Sequence, residues 1–460
     1  MQRSVYPWLT ARCWWFVVAC WLNTATAYET AAPILLNDDG AWCWFQDERA
    51  WLMDGRLVVG SVANGRRDAA RRGSVEVATF DLMSQSVARV ELFPQLETDD
   101  HDAPSLWLRP DGRMLAVFAK HGSENVFYYR LTQSAGDATK WGETRTFSPS
   151  ASSRITYANL YFLSAENGGR GRLYNFYRGL DASFKPSYAY SDDWGETWQS
   201  GHIVIDVPTS FRHRPYVKYA SNGRDAVHLV YTDGHPRDAN NSVYHAVYRS
   251  GGLYRSDGTW IGNLDKGLAT PQDGTLVFRG DAQNVAWVSD VHLSAEGHPH
   301  VVYSVQKNSG GLPPRHPDAG RDHRYHYAKW DGAAWQQQEI AHGGTRLYPG
   351  EDDYTGNICL DPERLPTVYV STNADPATGR ELLSRADGRR HFEIYRGTPG
   401  PVGGPWQWQP VTQHSTVDNL RPIVPARSKT PGLLLWFRGR YTTYREYETE
   451  IVGTFLPSEN

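Results

Sequence analysis

The chain has 460 residues, of which 40% are hydrophobic and 21% are charged, and its formal net charge at pH 7 is −4. This length and hydrophobic content allow a sizeable core, and the acidic balance argues against a nucleic-acid partner. Most of the 18 tryptophans and 26 tyrosines should lie in that core.

The first 27 residues have the form of a secretory signal peptide. Arg3 and Arg12 are followed by an apolar run over residues 13–22, which is too short to span a membrane, and no later segment supplies a span. We therefore expect residues 28–460 to be one secreted or periplasmic domain with no membrane partner after signal removal. Losing these two arginines would change the net charge from −4 to about −6.

Two cysteines remain after residue 27, Cys43 and Cys359. One pair so far apart in sequence is neither a disulfide framework nor a metal motif. They are either buried thiols or a bridge, and the sequence leaves both open.

Short apolar strands joined by a Gly- or Pro-containing turn recur in seven places along the chain. The clearest pairs are residues 104–108 with 115–118, 159–163 with 173–177, and 215–219 with 227–231; weaker copies begin near Arg49, Ala286, Tyr354 and Arg421. Their starts are roughly fifty to seventy residues apart, slightly above the ~40–50 residues of a four-stranded blade. We predict an all-β fold, a seven-bladed β-propeller with four-stranded antiparallel blades.

Two segments between strands have turn-forming sequences. Residues 191–198, Ser-Asp-Asp-Trp-Gly-Glu-Thr-Trp, match the Asp-box pattern S-x-D-x-G-x-T-W, and residues 384–391 resemble a decayed copy. In this pattern Ser and Asp bind local backbone in a hairpin between a blade's outer strands. The motif therefore predicts a fold feature and not a site.

In a propeller, the start of each inner strand and the end of the next strand open on the same face, so their side chains converge. The second blade places His101 and His121 there, and the third places Tyr157 and Arg178. Tyr161 lies four residues after Tyr157 with the same side-chain direction, so it is the alternative to Tyr157. The fourth blade adds a larger set at the same face: Arg212, Arg214, Tyr216, Asp233 and His235.

Several of these residues suit proton transfer or anion binding. His101 lies in a carboxylate-rich loop that should raise its pKa and orient its ring, unless the ring only satisfies the turn. Arg178 ends an apolar strand and needs an anionic partner. Arg178, Arg212 and Arg214 together make this face of the propeller, at the mouth of its central channel, cationic in an otherwise acidic protein. This local charge favours a polyanionic substrate.

Six strings together resemble the BNR-repeat propeller family that includes ulvan lyases: residues 40–47, 99–104, 119–121, 214–219, 232–237 and 325–328. The likeness extends from residue 40 to about residue 450. The resemblance implies a secreted propeller that cleaves an acidic polysaccharide by β-elimination. It also implies a His/Tyr pair for proton transfer and a cation that neutralises the uronate carboxylate.

The resemblance implies that His101 transfers a proton. It also implies that His121 either takes part in the same proton transfer or neutralises the carboxylate. Tyr157 or Tyr161 would join the proton transfer, while Arg178, Arg212 and Arg214 compete for the neutralising role. Such a lyase needs a cation at the carboxylate, a base at C5 and an acid at the leaving O4, so we expect no catalytic cofactor. A structural metal among residues such as His323 and His326 stays open.

Two other functions remain possible on these residues. A sialidase-like glycoside hydrolase would use arginines, a tyrosine and carboxylates such as Glu351, Asp352 and Asp353. A carbohydrate-binding propeller would use the same face without turnover. In each case we expect a monomer with an anionic polysaccharide as its partner.

Overall fold

The computed structural model describes residues 1–2, 32–53, 55–206, 214–308, 312–313, 316–401, 403–425 and 432–456. Within these residues, 31 strands form seven antiparallel sheets, with four short 3-10 turns at Ala69–Arg71, Asp100–Asp102, Asn167–Gly169 and Pro271–Asp273. The predicted seven-bladed propeller is confirmed. The predicted signal segment lies outside the described residues except for the first two. No helix in the described part is long and apolar enough to cross a membrane.

The first strand, β1 (Ile34–Asn37), belongs to the last blade, and the other strands follow blade by blade in chain order. Blade 1 contains β2 (Ala50–Met53), β3 (Arg56–Val62), β4 (Val75–Asp81) and β5 (Val87–Phe93). Blade 2 contains β6 (Ser105–Leu108), β7 (Met114–Phe118), β8 (Phe127–Ser134), β9 (Asp137–Trp141) and β10 (Arg145–Phe147). Blade 3 contains β11 (Leu160–Leu163), β12 (Arg172–Arg178), β13 (Pro186–Ser191) and β14 (Gln199–Ile203).

Blade 4 is the largest, with β15 (Val217–Ser221), β16 (Ala226–Thr232), β17 (Val243–Arg249), β18 (Gly252–Tyr254), β19 (Trp260–Asn263) and β20 (Thr275–Phe278). Blade 5 contains β21 (Asn284–Leu293), β22 (Pro299–Lys307), β23 (His323–Trp330) and β24 (Trp335–Gly344). Blade 6 contains β25 (Ile358–Leu360), β26 (Val368–Thr372), β27 (Glu393–Thr398) and β28 (Gln407–Pro410). Blade 7 contains β29 (Asp418–Ile423), β30 (Leu433–Thr443), β31 (Glu446–Phe455) and β1.

From blade 1 to blade 7, the first strand of each blade contacts the first strand of the blade that follows it in the chain. The three clearest predicted hairpins form in register, with Ser105 opposite Val117, Leu160 opposite Asn175, and Val217 opposite Tyr231. Buried Val, Leu, Tyr and Trp side chains pack between neighbouring sheets.

The N-terminal strand closes the ring. β1 pairs antiparallel with β31, so that Ile34 lies opposite Gly453 and the last blade gains its fourth strand from the other end of the chain. Arg71 of blade 1 fixes this strand, since it donates to Asn37 at 2.8 Å and pairs with Glu76 at 2.9 Å. The pairing covers the edge that β31 would otherwise expose.

Residues 42–47, which we call the axial plug, cross the centre of the propeller before blade 1 begins. The Trp44 indole donates to the carbonyl of Val288 in blade 5 at 3.1 Å. The Trp44 carbonyl accepts a bond from the buried Lys218 ammonium of blade 4 at 2.7 Å. The Phe45 ring lies 4.7 Å from that of Tyr216. These contacts pack the aromatic side chains of the axial plug against Tyr216 of blade 4 and Trp287 of blade 5.

The Asp-box segment and the two cysteines after residue 27 have structural surroundings. In segment 191–198, Gly195 N–H donates to the Ser191 hydroxyl and Thr197 N–H to the Asp193 carboxylate, between outer strands β13 and β14. Cys43 and Cys359 are buried free thiols.

Candidate functional site

A short turn in front of β6 positions the first histidine. The Asp99 carboxylate accepts the backbone N–H of His101 at 3.0 Å and caps the 3-10 turn Asp100–Asp102. The axial plug supports the same turn, because the Gln46 amide donates to the His101 carbonyl and Cys43 N–H donates to the Asp100 carbonyl. The imidazole therefore has a fixed position at the top of the axis.

His101 and His121 form a stacked pair, with ring centroids 3.9 Å apart and planes 9° from parallel. One buried carboxylate holds both rings: Asp99 Oδ1 lies 2.7 Å from Nδ1 of His101, and Oδ2 lies 3.0 Å from Nδ1 of His121. This arrangement fixes Nδ1 as the donor on each ring and directs Nε2 away from Asp99.

The two histidines differ in protonation. Burial disfavours a charged His101, but the carboxylates of Asp99 and Asp100, at 2.7 and 2.9 Å from its Nδ1, outweigh burial and raise the pKa of His101 well above its usual value. Burial and the neighbouring His101 charge lower the pKa of His121 to about 4. Near neutral pH the pair therefore holds one imidazolium and one neutral imidazole.

Tyr157 and Arg178 lie beside this pair. The Tyr157 ring is 5.5 Å from that of His101, and the Arg178 guanidinium lies 4.8 Å from the Tyr157 ring centre. Tyr157 has a φ of 68°, a backbone conformation that is rare and strained for a tyrosine. Burial raises the pKa of its phenol well above 10, so the group stays protonated.

Several buried polar atoms around Tyr157 have no hydrogen-bond partner in the described part of the chain. They include the Tyr157 and Tyr177 hydroxyls and both Nε and Nη1 of Arg178, although Arg178 is only 3% exposed. These groups border a cavity of about 20 Å³ between blades 3 and 4, enough for about one water molecule. Unpaired buried donors are costly, so this corner suits an anionic group supplied from outside.

Tyr216 and His235 of blade 4 form the side of the site across from Tyr157 and Arg178. The Tyr216 ring packs on Trp287 at 5.1 Å, and its centre lies 4.9 Å from the Arg178 guanidinium. His235 Nδ1 accepts the backbone N–H of Arg237 at 3.1 Å, and its Nε2 lies 3.6 Å from the Glu351 carboxylate. Burial and nearby arginines lower the pKa of His235 well below its usual value, so this ring is neutral.

The remaining predicted residues have varied places. Arg214 lies beside Phe184, with the guanidinium 5.4 Å from its ring, and Arg212 lies outside the described residues. Tyr161 points away from the histidines and donates to the Tyr219 carbonyl at 2.8 Å. Asp233 accepts from Ser242 N–H at 2.7 Å and from other groups of its own blade. The structure thus brings together His101, His121, Tyr157, Arg178, Tyr216 and His235, but not Tyr161 or Asp233.

Sequence reasoning missed Tyr444 and Arg445 of blade 7. The Tyr444 ring meets His101 at 5.0 Å and His121 at 5.6 Å edge to face, and Arg445 Nε lies 3.1 Å from Asp99 Oδ2. Both residues follow β30, the second strand of their blade. The rule that identified His121 and Arg178 would also have identified them.

Two clusters have donor atoms close enough to share a metal ion: Cys43 with Asp100 and His101, and Asp99 with His101 and His121. In the second cluster, hydrogen bonds already satisfy the ring Nδ1 atoms and both Asp99 oxygens, so its geometry is explained without an ion. His323 donates to the Asp352 carbonyl at 2.9 Å, and neither it nor His326 joins such a cluster among the described residues.

Comparison with solved structures gives the same architecture. An ulvan lyase, described as a new family of polysaccharide lyase, PL25, and bound to -[GlcA(1-4)Rha3S]-, matches with a TM-score of 0.63 and 13% identity over 91% of this chain and 95% of that chain. A second structure of a PL25 ulvan lyase matches with a TM-score of 0.64 at the same identity and coverage. An α-L-arabinanase of Penicillium chrysogenum in complex with arabinobiose matches with a TM-score of 0.43 and 13% identity, over 76% of this chain and 92% of that chain. At 13% identity the two ulvan lyase matches show the fold alone.

The comparison with curated proteins gives no match. The family model for BNR repeat-containing family members matches residues 50–343, which is more than half of the 460 residues. The chain therefore belongs to the BNR repeat-containing family.

Proposed function

We propose that the protein is a polysaccharide lyase that cleaves a sulfated, uronate-containing polymer of the ulvan type by β-elimination. The observation that carries the proposal is the meeting of a stacked histidine pair, a buried tyrosine and a buried arginine at one mouth of the propeller. The likeness of fold to the PL25 ulvan lyases over 91% of the chain supports it.

Arg178 is our candidate for neutralising the uronate carboxylate. Its Nε and Nη1 have no partner in the described residues, and the rings of Tyr157 and Tyr216 lie within 5 Å of the guanidinium. A guanidinium fork fits a carboxylate, and in a dry site it can stabilise the negative charge that develops when the C5 proton leaves. The protonated His101 adds a second positive charge nearby.

The contacts favour His121 as the base and Tyr157 as the acid. His121 is neutral, its Nδ1 faces Asp99, and its Nε2 is left to accept the C5 proton. Tyr157 is protonated and its hydroxyl has no partner in the described part, so it can give a proton to the leaving O4. This division refines the sequence-based assignment, which gave proton transfer first to His101.

The other wall would bind neighbouring sugars. Tyr216 and His235 present ring surfaces beside Arg178, and Arg214 adds a charge suited to sulfate or carboxylate groups. We keep Arg212 as a proposed partner of the same anions. The enzyme would act as a secreted or periplasmic monomer on residues 28–460, without a catalytic metal.

The hydrolase alternative needs a tyrosine with a glutamate and a separate acidic aspartate. Among its candidate carboxylates, Asp352 pairs with Arg346 at 2.6 Å and Asp353 accepts from Gln306 at 2.5 Å. Glu351 pairs with Arg237 at 2.9 Å and lies 3.6 Å from His235. Because all three are engaged and none lies beside Tyr157 in the described contacts, the lyase is the better supported function.

The test is to incubate the purified protein with ulvan, alginate, chondroitin and heparin and to follow ultraviolet absorbance and reducing ends together. We expect both signals to rise on ulvan, because β-elimination creates a C4–C5 double bond with each new reducing end. Reducing ends without absorbance would identify a hydrolase instead. Binding without either signal would identify a carbohydrate-binding module.

A further inference from the structure

The hairpin between β30 and β31 crosses from the last blade to the loop that carries His101. The Tyr444 carbonyl accepts the backbone N–H of Asp100 at 2.9 Å, and the Asn64 amide of blade 1 donates to the Arg445 carbonyl at 3.0 Å. The hairpin is therefore tied to blades 1 and 2, and its two side chains have defined positions above the histidine pair.

Arg445 shares an acceptor with His121. Its Nε lies 3.1 Å from Asp99 Oδ2, the same oxygen that lies 3.0 Å from Nδ1 of His121. The guanidinium rests 5.3 Å from the Tyr444 ring centre, and the Arg445 side chain is 56% exposed. The buried Asp99 carboxylate thus meets three donor side chains, of which only Arg445 is always charged.

The charges around His121 come from several elements. Asp99 attracts a proton to the ring, while His101 and Arg178 oppose a second positive charge. Glu97 accepts the backbone N–H of His121, and the Tyr444 ring covers the edges of both imidazoles. Arg445 offsets part of the Asp99 charge, so its removal would leave that carboxylate to the two histidines alone.

We propose that Arg445 is a positioning residue that, by sharing Asp99 Oδ2 with His121, holds Nδ1–H of His121 directed at Asp99 with Nε2 free and lowers the pH at which that ring takes up a second proton. The last blade would thereby tune the basicity of a residue in the second blade. The consequence for catalysis rests on the proposed lyase function, whereas the effect on the ring itself does not.

The direct experiment is a nuclear magnetic resonance titration of ¹⁵N-labelled histidine rings in the full chain, with the His121 signals identified by their absence in His121→Gln. We expect Arg445→Gln to raise the titration midpoint of His121 by about one pH unit, because a positive charge within a few ångströms of its acceptor is lost. Arg445→Lys should restore much of the original midpoint.

The matched control is Arg440→Gln, which removes the same charge from β30, the strand that leads into the turn carrying Arg445. Arg440 pairs with Glu448 at 2.6 Å and its side chain is 67% exposed. We expect it to leave the His121 midpoint unchanged. A midpoint in Arg445→Gln that equals wild type, in protein with unchanged thermal unfolding, would overturn the proposal. If Arg445→Gln unfolds, Arg445→Met replaces it, because Met removes the charge and keeps an apolar contact with the Tyr444 ring. We expect the same rise in the His121 midpoint, and a midpoint equal to wild type in this folded variant would overturn the proposal.

The second readout is the pH profile of kcat/KM on ulvan. Its acid limb should move to higher pH in Arg445→Gln by the same amount as the His121 midpoint, with little change at the alkaline side. Absence of lyase activity in the wild type would contradict the proposed function. The ring titration would still decide the role of Arg445, because it does not depend on activity.

Discussion

Two buried arginines near the propeller axis have very different surroundings. Arg421 of blade 7 is 0% exposed and donates to Asp100 at 2.6 Å and to the Tyr441 hydroxyl at 2.9 Å. Arg178 of blade 3 is 3% exposed and has no carboxylate partner in the described residues, where its Nε and Nη1 are unpaired. Both guanidiniums pack on aromatic rings at about the same distance, 4.9 Å to Tyr441 for Arg421 and 4.8 Å to Tyr157 for Arg178.

The difference separates a buried charge that the fold itself neutralises from one that we propose a ligand neutralises. Arg421 has its anion inside the protein, so it joins the axial plug, blade 7 and the His101 turn into one unit. Arg178 has the same aromatic surroundings but lacks the anion, and a buried charge without a partner is costly to fold. A bound ligand that supplies an anion would pair with this charge. We therefore assign the uronate carboxylate to Arg178 and not to Arg421.

The largest effect should come from Arg421→Met. The change removes the guanidinium that pairs with the buried Asp100 carboxylate and, among the described residues, leaves that carboxylate only His101 and the Tyr441 hydroxyl. We expect this to lower the free energy of unfolding by about 3–5 kcal/mol. Chemical denaturation measures this loss. Arg438→Met is the control, because Arg438 pairs with Glu450 nearer the surface and should cost less than about 1 kcal/mol. Equal losses in the two variants would remove the distinction drawn for Arg421.

Arg178→Gln should do the opposite of Arg421→Met: it should reduce activity strongly and change stability little. We expect kcat/KM on ulvan to fall by about 10²–10³, because the carboxylate is no longer neutralised. Unfolding free energy should change by less than about 1 kcal/mol, since no internal carboxylate loses a partner. Arg172→Gln on the same strand, whose arginine pairs with Asp192 at 2.7 Å, should keep its activity. A large loss of stability in Arg178→Gln would mean that Arg178 is structural.

The two tyrosines near blade 3 extend the comparison. Tyr157→Phe should reduce kcat by about 10², because the proposed acid at O4 is lost. Tyr161→Phe removes a hydroxyl that donates to the Tyr219 carbonyl, so it should cost about 1 kcal/mol of stability and leave kcat nearly unchanged. Steady-state rates and thermal unfolding of both proteins check this. The reverse pattern would make Tyr161 the acid.

The smallest expected effect is a pH dependence of stability in blade 4. His228 Nδ1 and His245 Nε2 lie 3.0 Å apart, and burial lowers the pKa of His228 to about 4 and that of His245 well below 6.5. The unfolded chain binds protons below pH 6.5 while the folded pair stays neutral, so stability is full above pH 6.5 and falls toward pH 4. We expect His228 alone to contribute roughly 2–3 kcal/mol to that fall between pH 7 and pH 4.5. Denaturation at pH 7 and pH 4.5 should show a weaker fall when both histidines are replaced by asparagine, and an equal fall would contradict the assignment.

The fold was largely predictable because blades repeat a local signal. Each inner hairpin has apolar strands around a turn, as in Leu160–Leu163 with Arg172–Arg178, and local pairing sets its register. The closing strand β1 was not predictable, since four residues carry little pattern and their partner begins at Glu446. The extra hairpin of β18 and β19 in blade 4 also has no counterpart in the repeat.

The site was predictable where it depends on blade geometry. The rule for inner-strand starts and second-strand ends identified His101, His121, Tyr157 and Arg178 as neighbours. It failed for Asp233, because turn residues with carboxylates can bind their own loop. The sharing of Asp99 by two histidines and Arg445 depends on contacts between blades 2 and 7, which no local pattern contains.

The most direct test of the central claim compares two ligands on two proteins. A glucuronate-containing ulvan oligosaccharide and its carboxyl-reduced form would be titrated calorimetrically into Tyr157→Phe and into Tyr157→Phe/Arg178→Gln, where the ligand is not consumed. We predict that the first protein prefers the carboxylate form by roughly 10- to 100-fold and that the second loses this preference. An equal preference in both proteins would show that Arg178 does not bind the carboxylate.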